Sequence, residues 1–389
     1  MRIFRSAFLG TKSRVALSGK QFLRILCINF TMVLSAHASV GQLLTDYFFQ
    51  NPADLNAVAH QQVILGNFMI APSLQFQGTA PGGTGSARSS VVDALPYLLA
   101  DIRLTDKFVV GFNAVPSEYG DLSWPLDSIV AHDSTTTKIY YYILGLQSSY
   151  QFTDRLVLGL GLNLRYNYLA ELDSLVGNLG NEVNKVSALN NGMDAGLTYK
   201  LTPKHTFIAT FYSPVNRFGK GTSTLNGKTS YNFGLNIVEA AVIFMGMQHQ
   251  FTERWYLQEK IFWSQWTVQN NTVLRNTTRG TIIYPTNWGD TWSYLVATEY
   301  KFIEKIAGLA SVMYETNPAP NSTNAIGYPL APTLFISAGI DFSVLKNVRM
   351  QLVYGFGFFI PKAVIDNSDS HGRISANTQV GVLQLVYKL

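Results

Sequence analysis

The sequence has one cysteine, Cys27, in 389 residues. It lies in an N-terminal stretch that reads as a leader, and the residues before it, Arg24-Ile25-Leu26, do not resemble a lipoprotein cleavage box. A chain processed after residue 38 would hold no disulfide, no thiolate nucleophile and no cysteine metal ligand. Acidic residues are absent from the first 38 positions, where Arg2, Arg5, Lys12, Arg14, Lys20 and Arg24 precede the apolar run 25–34 and then Ala36-His37-Ala38. A basic start, a short apolar centre and an A-x-A end predict a secretory signal peptide over 1–38, because the apolar run is too short to span a bilayer. The alternative, an upstream start codon wrongly assigned, predicts export as well.

Charge is also scarce, at 14% of residues. Removing the six basic leader residues leaves 23 Lys+Arg against 24 Asp+Glu, a net charge of about −1. The basic balance of the whole chain therefore belongs to its leader. No basic patch remains to make phosphate contacts, which excludes a nucleic-acid partner.

Long apolar runs are missing too. Beyond the leader the longest candidate is 237–247, and it contains Glu239; a membrane helix needs roughly 18 uninterrupted apolar residues. Yet mean hydropathy is positive and the chain carries 20 Tyr and 24 Phe. A membrane protein without such helices must be a closed barrel, since only closure satisfies every backbone N–H and C=O in hydrocarbon.

Catalytic patterns are lacking as well. His60, His132, His205, His249 and His371 are dispersed, with no HExxH pair and no GxSxG elbow. Gly159-Leu160-Gly161 lies within a strand pattern, which excludes a phosphate cradle. No enzymatic activity, metal or cofactor is expected; a hydrolase assembled from distant loops is the residual alternative.

What is present is alternation. Leu156, Leu158, Leu160, Leu162, Leu164 and Tyr166 share one face, opposite Val157, Gly159, Gly161, Asn163 and Arg165. Val348, Met350, Leu352, Tyr354, Phe356 and Phe358 likewise oppose Arg349, Gln351, Val353, Gly355 and Gly357. A soluble secreted β-protein would bury the greasy face against a second sheet, whereas a membrane barrel turns it to lipid.

A short phrase recurs between the strands: LTDKF at 104–108, FTDRL at 152–156, LTPKH at 201–205, FTERW at 251–255 and FIEKI at 302–306, with a looser copy SVLKNV at 343–348. Each reads as a tight turn between two strands. Between them lie Gly-, Asn-, Ser- and Pro-rich stretches at 78–90, 118–136, 170–190, 216–229, 269–289, 316–331 and 361–376. Alternating short turns and long loops predict an all-β, transmembrane antiparallel barrel of about 14 strands with both termini on the short-turn, periplasmic side. The strands are expected at 61–77, 91–103, 107–117, 137–151, 156–169, 191–201, 205–215, 230–250, 254–268, 290–302, 306–315, 332–343, 347–360 and 377–389. One strand fits badly, because alternation from Trp255 puts Glu259 on the greasy face and calls for a bulge or a strand end there.

Several motifs then point to a family. Phe48-Phe49-Gln50-Asn51-Pro52-Ala53 is similar to an Asn-Pro-Ala signature before the first strand. Phe211-Tyr212-Ser213-Pro214-Val215, Trp263-Ser264-Gln265-Trp266 and Trp288-Gly289-Asp290-Thr291-Trp292, the last leading to Tyr294 and Glu299-Tyr300, follow in order. Together they resemble the outer-membrane long-chain fatty acid and aromatic hydrocarbon transporter family (FadL-like) of Gram-negative bacteria. The resemblance implies a monomeric 14-stranded barrel plugged by an N-terminal hatch, with Asn51, Pro52 and Ala53 in that hatch; on its own Asn51-Pro52 is a common turn dipeptide and reads as a plain turn. It implies passive passage of a hydrophobic ligand, leaving past the hatch or through a lateral gap in the wall. The resulting organisation is a leader over 1–38, a hatch segment over 39–60, shorter than is usual in the family, and a barrel over 61–389. The expected partners are the ligand, outer-membrane lipid and the barrel assembly machinery. The chain departs from the usual aromatic terminus by ending Tyr387-Lys388-Leu389.

Four side chains are candidates for ligand contact. Arg165 and Arg349 fall on the polar, lumen-facing side, where a guanidinium fits a carboxylate in a bidentate manner; the alternative is an ion pair across the lumen. Trp263 and Trp266 flank a long loop, either as an outer ligand groove or as part of the interfacial girdle. Uptake of long-chain fatty acids is the expected function. The alternatives are a water-filled porin, which would need a charged constriction loop not evident here, and an adhesive barrel acting through its long loops.

Overall fold

The computed structural model describes residues 50–389. The expected leader and the part of the hatch segment before residue 50 lie outside the described residues. Among the described residues no helix is long and apolar enough to cross a membrane; the chain crosses with strands.

Among the described residues twenty strands run in chain order: β1 (Gln61–Ala80), β2 (Gly83–Ser90), β3 (Asp93–Arg103), β4 (Phe108–Ser123), β5 (Thr136–Gln151), β6 (Leu156–Leu175), β7 (Asn181–Thr202), β8 (His205–Tyr212), β9 (Val215–Leu225) and β10 (Lys228–Glu239). They continue as β11 (Val242–Gln250), β12 (Trp255–Ser264), β13 (Asn271–Thr277), β14 (Gly280–Pro285), β15 (Thr291–Ile303), β16 (Ile306–Glu315), β17 (Thr333–Leu345), β18 (Val348–Phe359), β19 (Ala363–Asp366) and β20 (His371–Lys388). Fourteen of them form a closed antiparallel barrel in the order β1, β3 to β8, β11, β12, β15 to β18 and β20, and β20 returns to pair with β1 along its length. Closure meets most of the backbone hydrogen bonds within the wall. The Leu389 N–H donates to the Gln61 carbonyl at 3.0 Å, so both ends of the barrel chain meet on the short-turn side.

The recurring phrase owes its form to its threonine. Thr105 Oγ accepts the N–H groups of Lys107 and Phe108 at 3.3 and 3.1 Å, and Thr153 and Thr252 accept from Arg155 and Leu156 and from Arg254 and Trp255 at 3.2 and 3.0 Å in each case. Side-chain acceptance of two successive N–H groups folds the turn locally. The flanking aromatics pair along this rim, Tyr150 with Phe152 and Phe251 with Trp255 at 4.9 Å, as an interfacial girdle does.

The outward and inward faces follow the alternation. On β6, Leu158, Leu160, Leu162, Leu164, Tyr166 and Tyr168 are exposed, and the positions between them are buried. The buried face is not uniformly polar. Midway along the barrel Phe68, Tyr97, Ile208, Tyr212, Phe244, Phe262 and Leu295 form one apolar cluster, with Phe68 on Tyr97 at 4.9 Å and Phe244 on Phe262 at 5.2 Å.

Three expectations need correction. The single strand expected at 230–250 breaks at Ala240-Ala241, where β10 leaves the wall to pair with β9 and β13 while β11 pairs with β8. Five of the seven stretches expected as loops are mostly strand, because β2, the β9–β10 hairpin, the β13–β14 hairpin, β19 and the extended ends of their neighbours continue the sheet beyond the wall, while 118–136 and 316–331 are mostly irregular. Glu259 sits on the outward face with unbroken pairing on both sides, to Met247 and to Val296, so no bulge rescues it.

Candidate functional site

The wall is interrupted at one seam. β3 pairs with β1 from Asp93 to Ile102, but with β4 only from Leu98 to Arg103, while β4 runs on to Ser123 against β5. Extending the register above Leu98 and Ala114 puts Pro96 opposite Pro116. Neither proline has an N–H to give, and a ladder cannot continue through a pair that lacks both donors. β4 also bulges between Pro116 and Glu118, which turns it further from β3. Two side chains span the break: the Tyr119 hydroxyl donates to the Asp93 carboxylate at 2.7 Å. Tyr119 continues into a row of rings, edge-on to Tyr140 at 5.7 Å, which stacks on Tyr168 at 5.4 Å. Leu95, Tyr97 and Val115 beside the break belong to the apolar cluster of the barrel interior.

Below that interior the lumen holds the N-terminal segment. Residues Pro52–Ala57 form a 3-10 turn whose N-cap is Asn51, with the Asn51 side-chain oxygen accepting the Ala53 N–H at 3.1 Å. Asn51 Nδ2 donates to Thr198 Oγ1 at 3.0 Å and to the Leu197 carbonyl at 3.3 Å, and Thr198 donates to Asp54 at 2.8 Å. Tyr212 donates to the Gln50 carbonyl at 2.5 Å, and Arg103 Nε to that of Val58 at 2.8 Å. The turn fits because the wall is glycine there. A Cβ at Gly159 would lie 2.3 Å from the Ala53 nitrogen, and one at Gly196 1.9 Å from Asn51 Oδ1. A cavity of about 290 Å³ adjoins this turn. Its lining mixes the polar and charged side chains of Gln62, Asp101, Lys200 and Lys260 with the apolar ones of Leu55, Leu99 and Val157.

Toward the long-loop end the interior is ionic. Arg217, which is buried, donates to Glu118 and, through Nε at 3.0 Å, to Glu239, and lies over the Tyr141 ring at 3.6 Å. Arg165 sits beside this group, 3.7 Å from Glu239 and 5.6 Å from the Tyr212 ring centroid, with its buried Nε unmatched by any hydrogen bond. Arg349 is elsewhere, at the short-turn end of β18, where it bonds Asp341 at 2.7 and 2.9 Å; Gln351 holds the second oxygen of that carboxylate at 2.6 Å. The structure therefore does not bring the two candidate arginines together.

The tryptophans also separate. Trp263 pairs across strands with the exposed Trp292 on the outward face. Trp266 packs edge-to-face on Trp288 at 5.3 Å, and Trp288 stacks on Tyr328 at 6.3 Å. Tyr328 comes from the 316–332 connection, and its ring comes within 3.1 Å of where a Cβ on Gly120 of β4 would lie. Sequence reasoning passed over Glu118, Arg217 and Glu239, the first two because they fell in stretches expected as loops. It also passed over Pro96 and Pro116, although a proline inside an expected strand is itself a signal of an edge.

A closed barrel crossed by strands, with an apolar interior that meets a break in its own wall, defines a membrane transport protein of the outer-membrane type. The chain belongs to the family of outer membrane protein transport proteins (OMPP1/FadL/TodX), whose model matches residues 28–385. Membership makes it a transport protein and not an enzyme. Its fold is similar to that of a Pseudomonas aeruginosa FadL homologue, with a TM-score of 0.76 and 17% identity over 88% of this chain and 93% of that one. It is also similar to the P. putida toluene transporter TodX (TM-score 0.70, 18% identity, 88% and 93% covered) and to the Ralstonia pickettii toluene transporter TbuX (0.67, 14%, 88% and 93%). No curated protein sequence matches the chain.

Proposed function

We propose that the protein conducts small hydrophobic molecules passively across the outer membrane, long-chain fatty acids first and monoaromatic hydrocarbons second. The observation that carries this reading is the β3–β4 break, which opens beside the apolar interior while the turn from Asn51 to Val58 and the charged side chains of Asp101, Lys200 and Lys260 lie below. An apolar solute gains by staying in the apolar layer, at roughly 25 cal/mol per Å² kept from water, and loses by desolvating the charged side chains below it. It therefore leaves sideways into lipid.

In this reading Trp266, Trp288 and Tyr328 receive the ligand at the mouth. Arg165, whose Nε has no hydrogen-bond partner, meets a carboxylate if the ligand has one; Arg349 is committed to Asp341 and takes no part. Trp263 serves the outer girdle. Asn51, Pro52 and Ala53 act as a hatch that closes the lumen to water-soluble solutes. The leader over 1–38 directs export, the short turns and both termini face the periplasm, and the barrel works as a monomer inserted by the assembly machinery. The names of the toluene transporters of similar fold support the hydrophobic class.

Uptake of labelled oleate, toluene and a small sugar, in cells lacking their own transporter and with or without this gene, tests the reading. Oleate or toluene uptake should rise alone. A rise in sugar alone would sink it in favour of a porin, and no change with the protein inserted would favour an adhesive barrel.

A further inference from the structure

Two histidines that are 44 residues apart in sequence meet on the outside of the barrel. His205 opens β8, His249 lies near the end of β11, and strand pairing sets them directly opposite each other. The next pair, Lys204 and Gln250, is bonded through the Gln250 N–H to the Lys204 carbonyl at 2.8 Å. Bonded and non-bonded pairs alternate in an antiparallel ladder, and side chains approach most closely at the non-bonded ones. His205 and His249 hold such a position, with their Nδ1 atoms 2.8 Å apart and their rings 5.0 Å apart at 70°. One proton at most fits between those nitrogens, so at least one lone pair points into the space they share.

The pair faces away from the lumen. The buried positions of these strands are Ile208, Thr210 and Tyr212 on β8 and Val242 and Phe244 on β11, and alternation sends His205 and His249 to the other side. His249 also stacks on Phe251 at 5.6 Å and 12°. Phe251 packs on Trp255, so the rings are fixed in the girdle at the short-turn rim.

We infer that His205 and His249 form a cross-strand site for a divalent transition-metal ion, Cu(II) ahead of Ni(II) and Zn(II). Metal–imidazole bonds of about 2.0–2.1 Å put two neighbouring ligand nitrogens roughly 3.0–3.4 Å apart. The observed 2.8 Å needs only a small widening. Imidazole suits all three ions, and the Irving–Williams order ranks copper first. The ion takes the place of the shared proton, which passes through solvent to Nε2 of the ring that held it, so both Nδ1 atoms ligate as neutral imidazoles. No third His, Cys, Asp or Glu joins the pair among the described residues, so water completes the shell and affinity is modest. The outward Glu259, opposite Met247 on the adjoining strand, adds negative charge on the same wall. A bound ion clips β8 to β11, the seam where the chain leaves the wall for the β9–β10 hairpin and returns. This site is independent of transport.

The test is Cu(II) titration of tag-free protein in detergent, followed by electron paramagnetic resonance and calorimetry. One equivalent with two coupled nitrogens is expected, together with a higher unfolding temperature. His205→Phe and His249→Phe, each shown to be folded by circular dichroism, should weaken binding by on the order of 100-fold, because the second imidazole acts as a tethered ligand. Copper-induced line broadening in the wild-type chain gives the same answer without a variant and should centre on residues 205 and 249. Broadening centred on His60, His132 or His371, unchanged binding in the double variant, or no binding by the wild type would each overturn the site.

Discussion

The Tyr119 hydroxyl reaches the Asp93 carboxylate at 2.7 Å across a part of the wall where the backbones of β3 and β4 no longer pair. A side-chain latch has replaced a ladder. Side-chain bonds exchange with water and other partners more readily than a cooperative run of backbone bonds, so this seam is where the wall can part for a solute. Restoring the missing donors should close it. Pro96→Thr combined with Pro116→Thr supplies two N–H groups and two β-branched side chains, and each regained bond is worth about 1 kcal/mol. The double variant should unfold at a higher temperature than the wild type and lose most hydrophobic uptake. Unchanged uptake in a more stable barrel would rule out the lateral route.

The hatch makes a separate prediction, because Asn51 both caps the 3-10 turn and ties it to Leu197 and Thr198. Asn51→Ala removes a cap worth about 1 kcal/mol and leaves the wall untouched. The barrel's melting temperature should change little, while ion conductance in planar bilayers should rise as the turn spends time out of its glycine cradle. Conductance equal to that of the wild type would mean that the rest of the segment holds the plug without Asn51.

Arg165 separates the two ligand classes. Its buried Nε has no hydrogen-bond partner and Glu239 stands 3.7 Å away, so part of its charge remains available to a carboxylate. Arg165→Gln should reduce oleate uptake by roughly 10- to 100-fold, in line with loss of a charge-assisted bond of about 1.5–3 kcal/mol, and leave toluene uptake close to wild type. An equal loss for both would assign Arg165 to the architecture alone.

The strands were readable in the sequence because each short turn carries its own chemistry. Thr105, Thr153 and Thr252 fold their turns with side-chain oxygens, and such local bonds leave a local signature. The alternating faces of β6 and β18 were equally local. What could not be read depends on register. Pro96 and Pro116 are ordinary strand residues until pairing sets them opposite each other, and His205 and His249 look dispersed until β8 meets β11. Arg217 was hidden for another reason, since the Gly- and Asn-rich stretch around it reads as loop although β9 continues the sheet there.

Arg217 also supplies the sharpest stability prediction. Its guanidinium is buried between Glu118 and Glu239 and lies over Tyr141, so the two carboxylates depend on it for compensation. Arg217→Ala leaves both acids facing each other in a site poor in water, and breaking a buried pair in this way costs about 3–5 kcal/mol. Removing the charges together is different, because an apolar group of similar length beside two neutral amides avoids the desolvation of all three ions. Arg217→Met alone should therefore melt well below the wild type, and adding Glu118→Gln and Glu239→Gln should recover most of the loss. Thermal unfolding in detergent, followed by circular dichroism, measures both steps. A triple variant no more stable than Arg217→Met would mean that the guanidinium holds this region through its packing on Tyr141 and not through charge.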